Sequence, residues 1–146
     1  MVKRKDPNER YLWHGTKPDV VENILAHGYN RSYAGPRGGD RGTRGVTYGF
    51  GVYFAQKATY PVHHTMGIFR VADKQGYSKI FYNNVLVGEC TLGDRAYLEP
   101  PPKSPDDPSI RYDSCVSDME TMRETVIFSD SQCYPSYLIT YKYQGQ

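Results

Sequence analysis

The sequence predicts an α+β domain: a mostly antiparallel sheet with one well-formed helix and long loops. Three observations carry this. There are 14 tyrosines in 146 residues, and a flat ring with a polar tip suits strands and the walls around planar ligands. There are 14 glycines and 10 prolines, which imply many turns. One segment carries a clear helical period of apolar residues, whereas several short runs are aromatic or β-branched.

The elements follow in order. Residues 1–9 read as a solvated leader. Arg10–Trp13 reads as a short strand running into His14-Gly15-Thr16. The helix comes next: Thr16 can cap it, Pro18 suits its first turn, Val20, Val21, Ile24 and Leu25 form its apolar stripe, and Gly28 stops it. Residues 30–50, NRSYAGPRGGDRGTRGVTYGF, are Gly-rich and Arg-punctuated and predict a mobile loop. Gly51–Ala55 is a strand, with a brief helix from Gln56. Residues 79–92 form one long strand. Residues 99–109, EPPPKSPDDPS, predict no regular structure, because proline removes a donor and fixes φ. Arg111–Val116 is a strand. Glu124–Ser129 and Tyr134–Tyr143 are two more, expected to pair through SDSQC.

Composition narrows the function classes. The length suits one domain. Mean hydropathy is −0.67, no apolar run approaches the roughly 18 residues of a membrane span, and no membrane partner is expected. MVKRKDPNER has no apolar segment behind it, so it does not read as a signal peptide. A net charge of +2 is too mild to imply nucleic acid by itself. Cys90, Cys115 and Cys133 are odd in number and lack CxxC spacing, which argues against a disulfide scaffold or a zinc site. A reducing compartment, cytoplasmic or nuclear, and no metal cofactor are the expectation.

Three places carry chemistry. In His14-Gly15-Thr16, an imidazole sits beside a bare backbone whose N–H and C=O a planar amide can approach. In Gly49–Ala55, two glycines precede an aromatic strand, and Tyr53 offers a ring face or a hydroxyl. Glu124 opens the strand ETVIFSD and shares a face with Val126 and Phe128. Taken singly, each also fits an ordinary role: a strand-to-helix turn, a core strand after a turn, an exposed strand end.

Taken together, they resemble the catalytic domain of poly(ADP-ribose) polymerase-type ADP-ribosyltransferases. The resemblance rests on LWHGT (12–16), HGYNRSYAG (27–35), YGFGVYFA (48–55), PPPKSP (100–105), RYDSCV (111–116) and VIFSDSQCYPSYLITY (126–141), in the family's order and spacing. It covers Arg10 to about Tyr143 and is strongest to the short-chain, tankyrase-like and macrodomain-linked members. It implies an ADP-ribosyltransferase fold, a split antiparallel sheet with few short helices around an NAD cleft, with residues 10–146 as the catalytic domain. The family's usual preceding helix and strand have no counterpart here.

The resemblance also implies residue roles, with NAD as co-substrate. His14, Tyr53 and Glu124 occupy the family's His-Tyr-Glu positions. Gly15 would hold the nicotinamide carboxamide through its backbone. His14 would bind the adenine-side ribose, Tyr53 would form a wall against the nicotinamide ring, and Glu124 would bind the nicotinamide-ribose 2′-hydroxyl. Thr16, Asn30 and Arg31 match positions on the adenosine side. Residues 33–48 would form a donor loop whose Arg37, Arg41 and Arg44 can meet the pyrophosphate. Pro61 stands where the family has a carboxamide-binding serine. The second stacking tyrosine is missing, so either Tyr60 or His64 takes its place or nicotinamide is held more weakly. The implied activity is ADP-ribose transfer from NAD to an acceptor, with protein side chains first and nucleic acid as the alternative. A silent NAD- or partner-binding module is the other reading.

Overall fold

The computed structural model describes residues 6–30, 47–59, 61 and 72–142. The elements run β1 (Glu9–Gly15), α1 (Pro18–His27), β2 (Val52–Ala55), β3 (Ser78–Leu86), β4 (Cys90–Leu92), β5 (Pro102–Ser104), β6 (Asp107–Arg111), β7 (Ser114–Val116), β8 (Glu124–Ile127) and β9 (Cys133–Tyr141). A 3-10 turn at Asp130–Gln132 leads into β9. Seven strands form one sheet in the order β4-β7-β8-β2-β1-β3-β9, and β5–β6 form a separate ribbon. Every pairing among the described residues is antiparallel except β4 with β7. The predicted α+β class is what the chain adopts.

The sheet is two half-sheets joined at a seam. β1 pairs β3 along its whole length, from Glu9↔Leu86 to Gly15↔Ile80. β2 pairs β8 from Val52↔Ile127 to Ala55↔Glu124. Between β1 and β2 the register holds one pair, Trp13↔Ala55. Strand alternation sends Leu12, Phe81 and Val85 to the inner face of one half and Val52, Phe54 and Ile127 to that of the other. These side chains pack into one cluster with Val21 and Ile24 of α1, Tyr29 and Val87, so the halves fold over a shared core. On the outer face of β1, β3 and β9, Trp13 stacks on Tyr82 at 4.2 Å, with Tyr11 5.2 Å and Tyr137 6.4 Å from the same ring.

Several expectations need correction. Lys17, not Thr16, occupies the α1 cap, and its carbonyl accepts the N–H groups of Val20 and Val21. Leu25 is exposed, because Val21 and Ile24 point at the core and Leu25 sits about 100° further round. The single long strand over 79–92 is two strands. Gly88, at φ 62°, turns the chain after Leu86, and β4 then lands on the opposite edge of the sheet. Asp113 packs against Gly88 where any Cβ would collide. Its carboxylate accepts the Glu89 N–H at 2.8 Å, and its own N–H donates to the Glu89 carbonyl at 2.8 Å.

The segment 99–109 does contain strands, β5 and β6. A two-stranded ribbon leaves half its backbone donors outside the ladder, so it accommodates Pro102 at a strand start and Pro108 on an edge. Arg111 anchors the ribbon by donating to the Pro100 carbonyl at 2.7 Å and pairing with Glu99 at 3.1 Å. The strand expected over Arg111–Val116 is interrupted by Tyr112 and Asp113. β8 and β9 are not partners, because β8 already has β2 and β7 on its two sides. The 3-10 turn carries the chain to the far edge, where β9 pairs β3. The brief helix from Gln56 and the loop over 30–50 lie mostly outside the described residues.

Residues 6–8 are tied in ahead of β1. The Pro7 and Asn8 carbonyls accept the N–H groups of Gly88 and Val87, and the Asn8 side chain donates to the Gly88 carbonyl at 3.0 Å.

The approach of β2 to β8 depends on Gly51. A Cβ there would collide with the Ile127 carbonyl and the Val126 side chain. Gly51→Ala is therefore expected to cost about 1–3 kcal/mol of stability, the usual range for overpacking. Chemical denaturation measures this; unchanged stability would mean that β2 can retreat from β8 without loss.

Candidate active site

The seam is where the candidate residues meet. Past Trp13↔Ala55 the β1–β2 ladder stops, and the His14 side chain spans the gap instead. Its Nδ1 lies 2.7 Å from the Tyr53 carbonyl. A carbonyl only accepts, so Nδ1 carries the hydrogen. A neutral ring then leaves Nε2 with a lone pair, ready to accept a hydrogen bond. Burial lowers the His14 pKa, and the bond to the Tyr53 carbonyl opposes that only in part. The imidazole is therefore held neutral in a fixed tautomer. Aromatic rings enclose it: Tyr29 at 5.0 Å and 79°, and Phe54 at 5.6 Å and 53°.

Tyr53 lies in β2 opposite Val126. Its hydroxyl donates to the Gly49 carbonyl at 2.7 Å and accepts the Tyr48 N–H at 3.0 Å. Both functions of the phenol are spent within its own approach loop. Burial raises its pKa far above the ordinary value, the Tyr48 amide opposes this, and the charge of Glu124 adds to it. Tyr53 thus stays protonated, and of the two offers read in the sequence, the ring face is the one left. Gly49 sits at φ 126° against Phe128, a conformation and a closeness that only glycine allows.

Glu124 starts β8 opposite Ala55. Its N–H donates to Ser117 Oγ at 3.0 Å, and its carbonyl accepts the Ser117 N–H at 3.0 Å. Alternation puts Glu124 on the face of β8 that carries Val126, and on the face of β2 that carries Tyr53 and Ala55. Val126 and Phe128 pack with Cys115, Tyr48, Tyr53 and Tyr97, as the predicted shared face requires. Glu124 as a residue is half-buried.

Gly15 ends β1, buried, with Ile80 on one side and the open seam on the other. Thr16 is buried next to it, and Asn30 is exposed on the loop beyond α1. Pro61 is buried. Arg31, Tyr60, His64, Arg37, Arg41 and Arg44 lie outside the described residues. So the structure gathers His14, Gly15, Thr16, Tyr53 and Glu124 at one seam, with Asn30 on an adjoining loop. Among the described residues, no three His, Cys, Asp or Glu side chains gather as a metal site would need.

Sequence reasoning missed a buried pair behind His14. Tyr29 donates its hydroxyl to Asn83 Oδ1 at 2.5 Å. The signal was available: Asn83 shares a parity with Phe81 and Val85, so it is a polar residue on a core face.

Comparison with known proteins bears on this arrangement. Residues 2–110 match the family described as the poly(ADP-ribose) polymerase catalytic domain. The chain is 36% identical to protein mono-ADP-ribosyltransferase PARP14 of Homo sapiens over 135 residues, 92% of this chain and 7% of that protein. It is 38% identical to protein mono-ADP-ribosyltransferase PARP10 of Mus musculus over 136 residues, 93% of this chain and 13% of that protein. Against protein mono-ADP-ribosyltransferase PARP11 of Homo sapiens the identity is 33% over 148 residues, 92% of this chain and 41% of that protein. The chain thus spans less than half the length of each of these relatives.

The lowered His14 pKa sets an acid limit. The unfolded imidazole titrates near the ordinary 6.5 and the folded one below it. Between the two, the unfolded chain binds the extra proton, so stability falls as pH drops below about 6.5. Melting temperatures between pH 7.5 and 5 should fall in the wild type, and His14→Gln should fall less over the same range. Parallel curves would mean that His14 does not supply this sensitivity.

Proposed function

Because the chain belongs to the poly(ADP-ribose) polymerase catalytic-domain family, we propose that it transfers ADP-ribose from NAD to an acceptor, with residues 10–146 as the catalytic unit. The observation that carries the reading is the seam itself. It holds a neutral imidazole with an acceptor nitrogen, a strand end at Gly15, and Glu124 on the sheet face that carries Tyr53.

In this reading NAD lies across the seam. The Gly15 backbone pairs with the nicotinamide carboxamide, which fixes the ring against Tyr53. His14 Nε2 accepts a hydrogen bond from an adenine-side ribose hydroxyl. Thr16, Asn30 and Arg31 line the adenosine side. Tyr60 or His64 covers the second nicotinamide face, and the arginines of the 33–48 loop meet the pyrophosphate. Glu124 accepts the hydrogen of the nicotinamide-ribose 2′-hydroxyl.

The chemistry is the breaking of one glycosidic bond and the making of another. The C1′–N bond breaks and its electron pair leaves with nicotinamide. Positive charge moves from the pyridinium onto the ribose, and the acceptor's lone pair closes on C1′ as its proton is lost. A carboxylate at the ribose stabilises this oxocarbenium-like state more than the ground state, which is the condition for raising the rate. Half-burial strengthens the effect relative to water.

Protein side chains are the proposed acceptors, and the names of the relatives support transfer of a single ADP-ribose. Glu124 is compatible with elongation as well, since a carboxylate there can polarise an incoming ribose hydroxyl. A second reading, an NAD-binding module without turnover, draws on Pro61, which offers no side-chain donor to the carboxamide.

Mass spectrometry of the protein after incubation with NAD separates these readings. Mass increments of single ADP-ribose units are expected, and ladders of increments would instead show elongation. Glu124→Ala should lower the rate by about 10²–10³-fold, the usual loss for one group that stabilises transition-state charge. Equal incorporation in wild type and variant would overturn the assigned role. NAD binding by calorimetry with no incorporation would favour the silent module.

A further inference from the structure

We infer that Tyr29 and Asn83 are positioning residues: they set the tilt of the His14 imidazole, and through it the seating of the ribose that His14 is proposed to bind. The second half rests on the NAD reading above, while the first stands on geometry alone.

The geometry begins at Asn83. It is fully buried in β3, on the core face between Phe81 and Val85, where the register between β3 and β9 slips at Tyr82/Asn83. A buried amide must be satisfied, and this one is. Its Nδ2 donates to the carbonyls of Leu12 at 3.0 Å and Phe81 at 3.3 Å. Its Oδ1 accepts the Tyr29 hydroxyl at 2.5 Å. Leu12 lies two residues before His14 on the same strand, so Asn83 is referenced to the backbone that carries the imidazole.

Tyr29 closes the circuit. It is 5% exposed, and its ring stands edge-on to His14, to Phe54 at 5.3 Å and 72°, and to Phe81 at 6.0 Å and 71°. Among the described residues, the His14 ring has one hydrogen bond, from Nδ1 to the Tyr53 carbonyl. One bond fixes a direction but leaves the ring free to tilt about it. Tilt decides where the Nε2 lone pair points, and Tyr29 is packed where it limits tilt. Packing alone would be served by a phenylalanine in place of Tyr29, facing an aliphatic residue in place of Asn83. The hydroxyl–amide bond adds a fixed azimuth for the Tyr29 ring. Tyr29 also immediately precedes Asn30, so the same anchor sets where the adenosine-side loop leaves the core.

The test uses Tyr29→Phe, Asn83→Leu and the double variant. The first readout is the ¹⁵N spectrum of the His14 imidazole without ligand, assigned by comparison with His14→Gln. Wild type and Tyr29→Phe should both keep the Nδ1–H tautomer set by the Tyr53 carbonyl, but Tyr29→Phe should shift and broaden the cross-peaks to the imidazole ring protons, which report tilt against the surrounding aromatic rings. With NAD, KM should rise by about 10-fold, in line with one ordinary hydrogen bond, and more than kcat falls. The double variant should regain part of the melting temperature lost in Asn83→Leu, because the buried Tyr29 hydroxyl is no longer left without a partner, while the Leu12 and Phe81 carbonyls still lack the Asn83 amide. It should not regain the wild-type imidazole ring signals or the NAD affinity. Unchanged imidazole signals in Tyr29→Phe and the double variant, or affinity that recovers in step with melting temperature, would overturn the inference. If the wild type shows no NAD binding or turnover, the NAD reading fails, and the imidazole spectrum still decides the positioning.

Discussion

The hydrogen bond from His14 to the Tyr53 carbonyl is the constraint on which the arrangement turns. Two half-sheets that share one ladder pair would otherwise be free to close further or to part. A closed seam would pair the end of β1 with β2 and leave no gap for a ligand. A parted seam would separate Gly15 from Tyr53 and Glu124. The imidazole bridges the gap with one side-chain bond to the Tyr53 carbonyl where the backbone ladder stops. It thereby keeps the halves together with a side chain standing between their backbones. The same bond decides the tautomer, so architecture and chemistry are set by one proton.

A second set of bonds holds the far ends of the halves. Ser114 donates its hydroxyl to the Val87 carbonyl at 2.7 Å. Gln132 Nε2 donates to the carbonyls of Leu86 at 3.1 Å and Asp113 at 2.9 Å. Asp113 meets the Glu89 backbone in both directions. These bonds join the end of β3 to the start of β7, and the shared core lies between them and the seam. The two fastenings differ in kind. The far one is dense and made of neutral and charged groups bound to backbone. The one at the seam is sparse, which is what a binding gap needs.

Much of this was legible in the sequence, for identifiable reasons. The α+β class, α1, β1, β2 and β8 follow from short-range pattern. His14, Tyr53 and Glu124 follow from motif spacing, which carries the tertiary arrangement of related chains within it. What pattern does not encode is which strand neighbours which. Residues 79–92 look continuous because Gly88 turns the chain without altering the apolar alternation around it. Residues 124–141 look like a hairpin because nothing local says that both sides of β8 are taken. The prolines of 99–109 mislead because their cost depends on whether a donor is needed, and in an isolated ribbon it is not. The Tyr29–Asn83 pair was hidden for a related reason. Strand parity places Asn83 on a core face, but nothing local names Tyr29, 54 residues away, as its partner. Of the 14 tyrosines, Tyr53 and Tyr29 lie beside His14 at the candidate site, while Tyr11, Tyr82 and Tyr137 build the outer aromatic face with Trp13.

The strand order has a consequence for how the molecule comes into being. β1 lies between strands from the middle of the chain, and the half that contains it is completed only by β9, whose last residue is Tyr141. The half that carries Tyr53 is completed only when β8 reaches β2 across some seventy residues of chain. Closing loops of that length is entropically slow, and contacts so distant in sequence delay folding relative to helical domains of equal size. The seam cannot assemble until both halves exist, so a growing chain has no partial site. The seam is complete only once β8 has docked on β2 and β9 on β3.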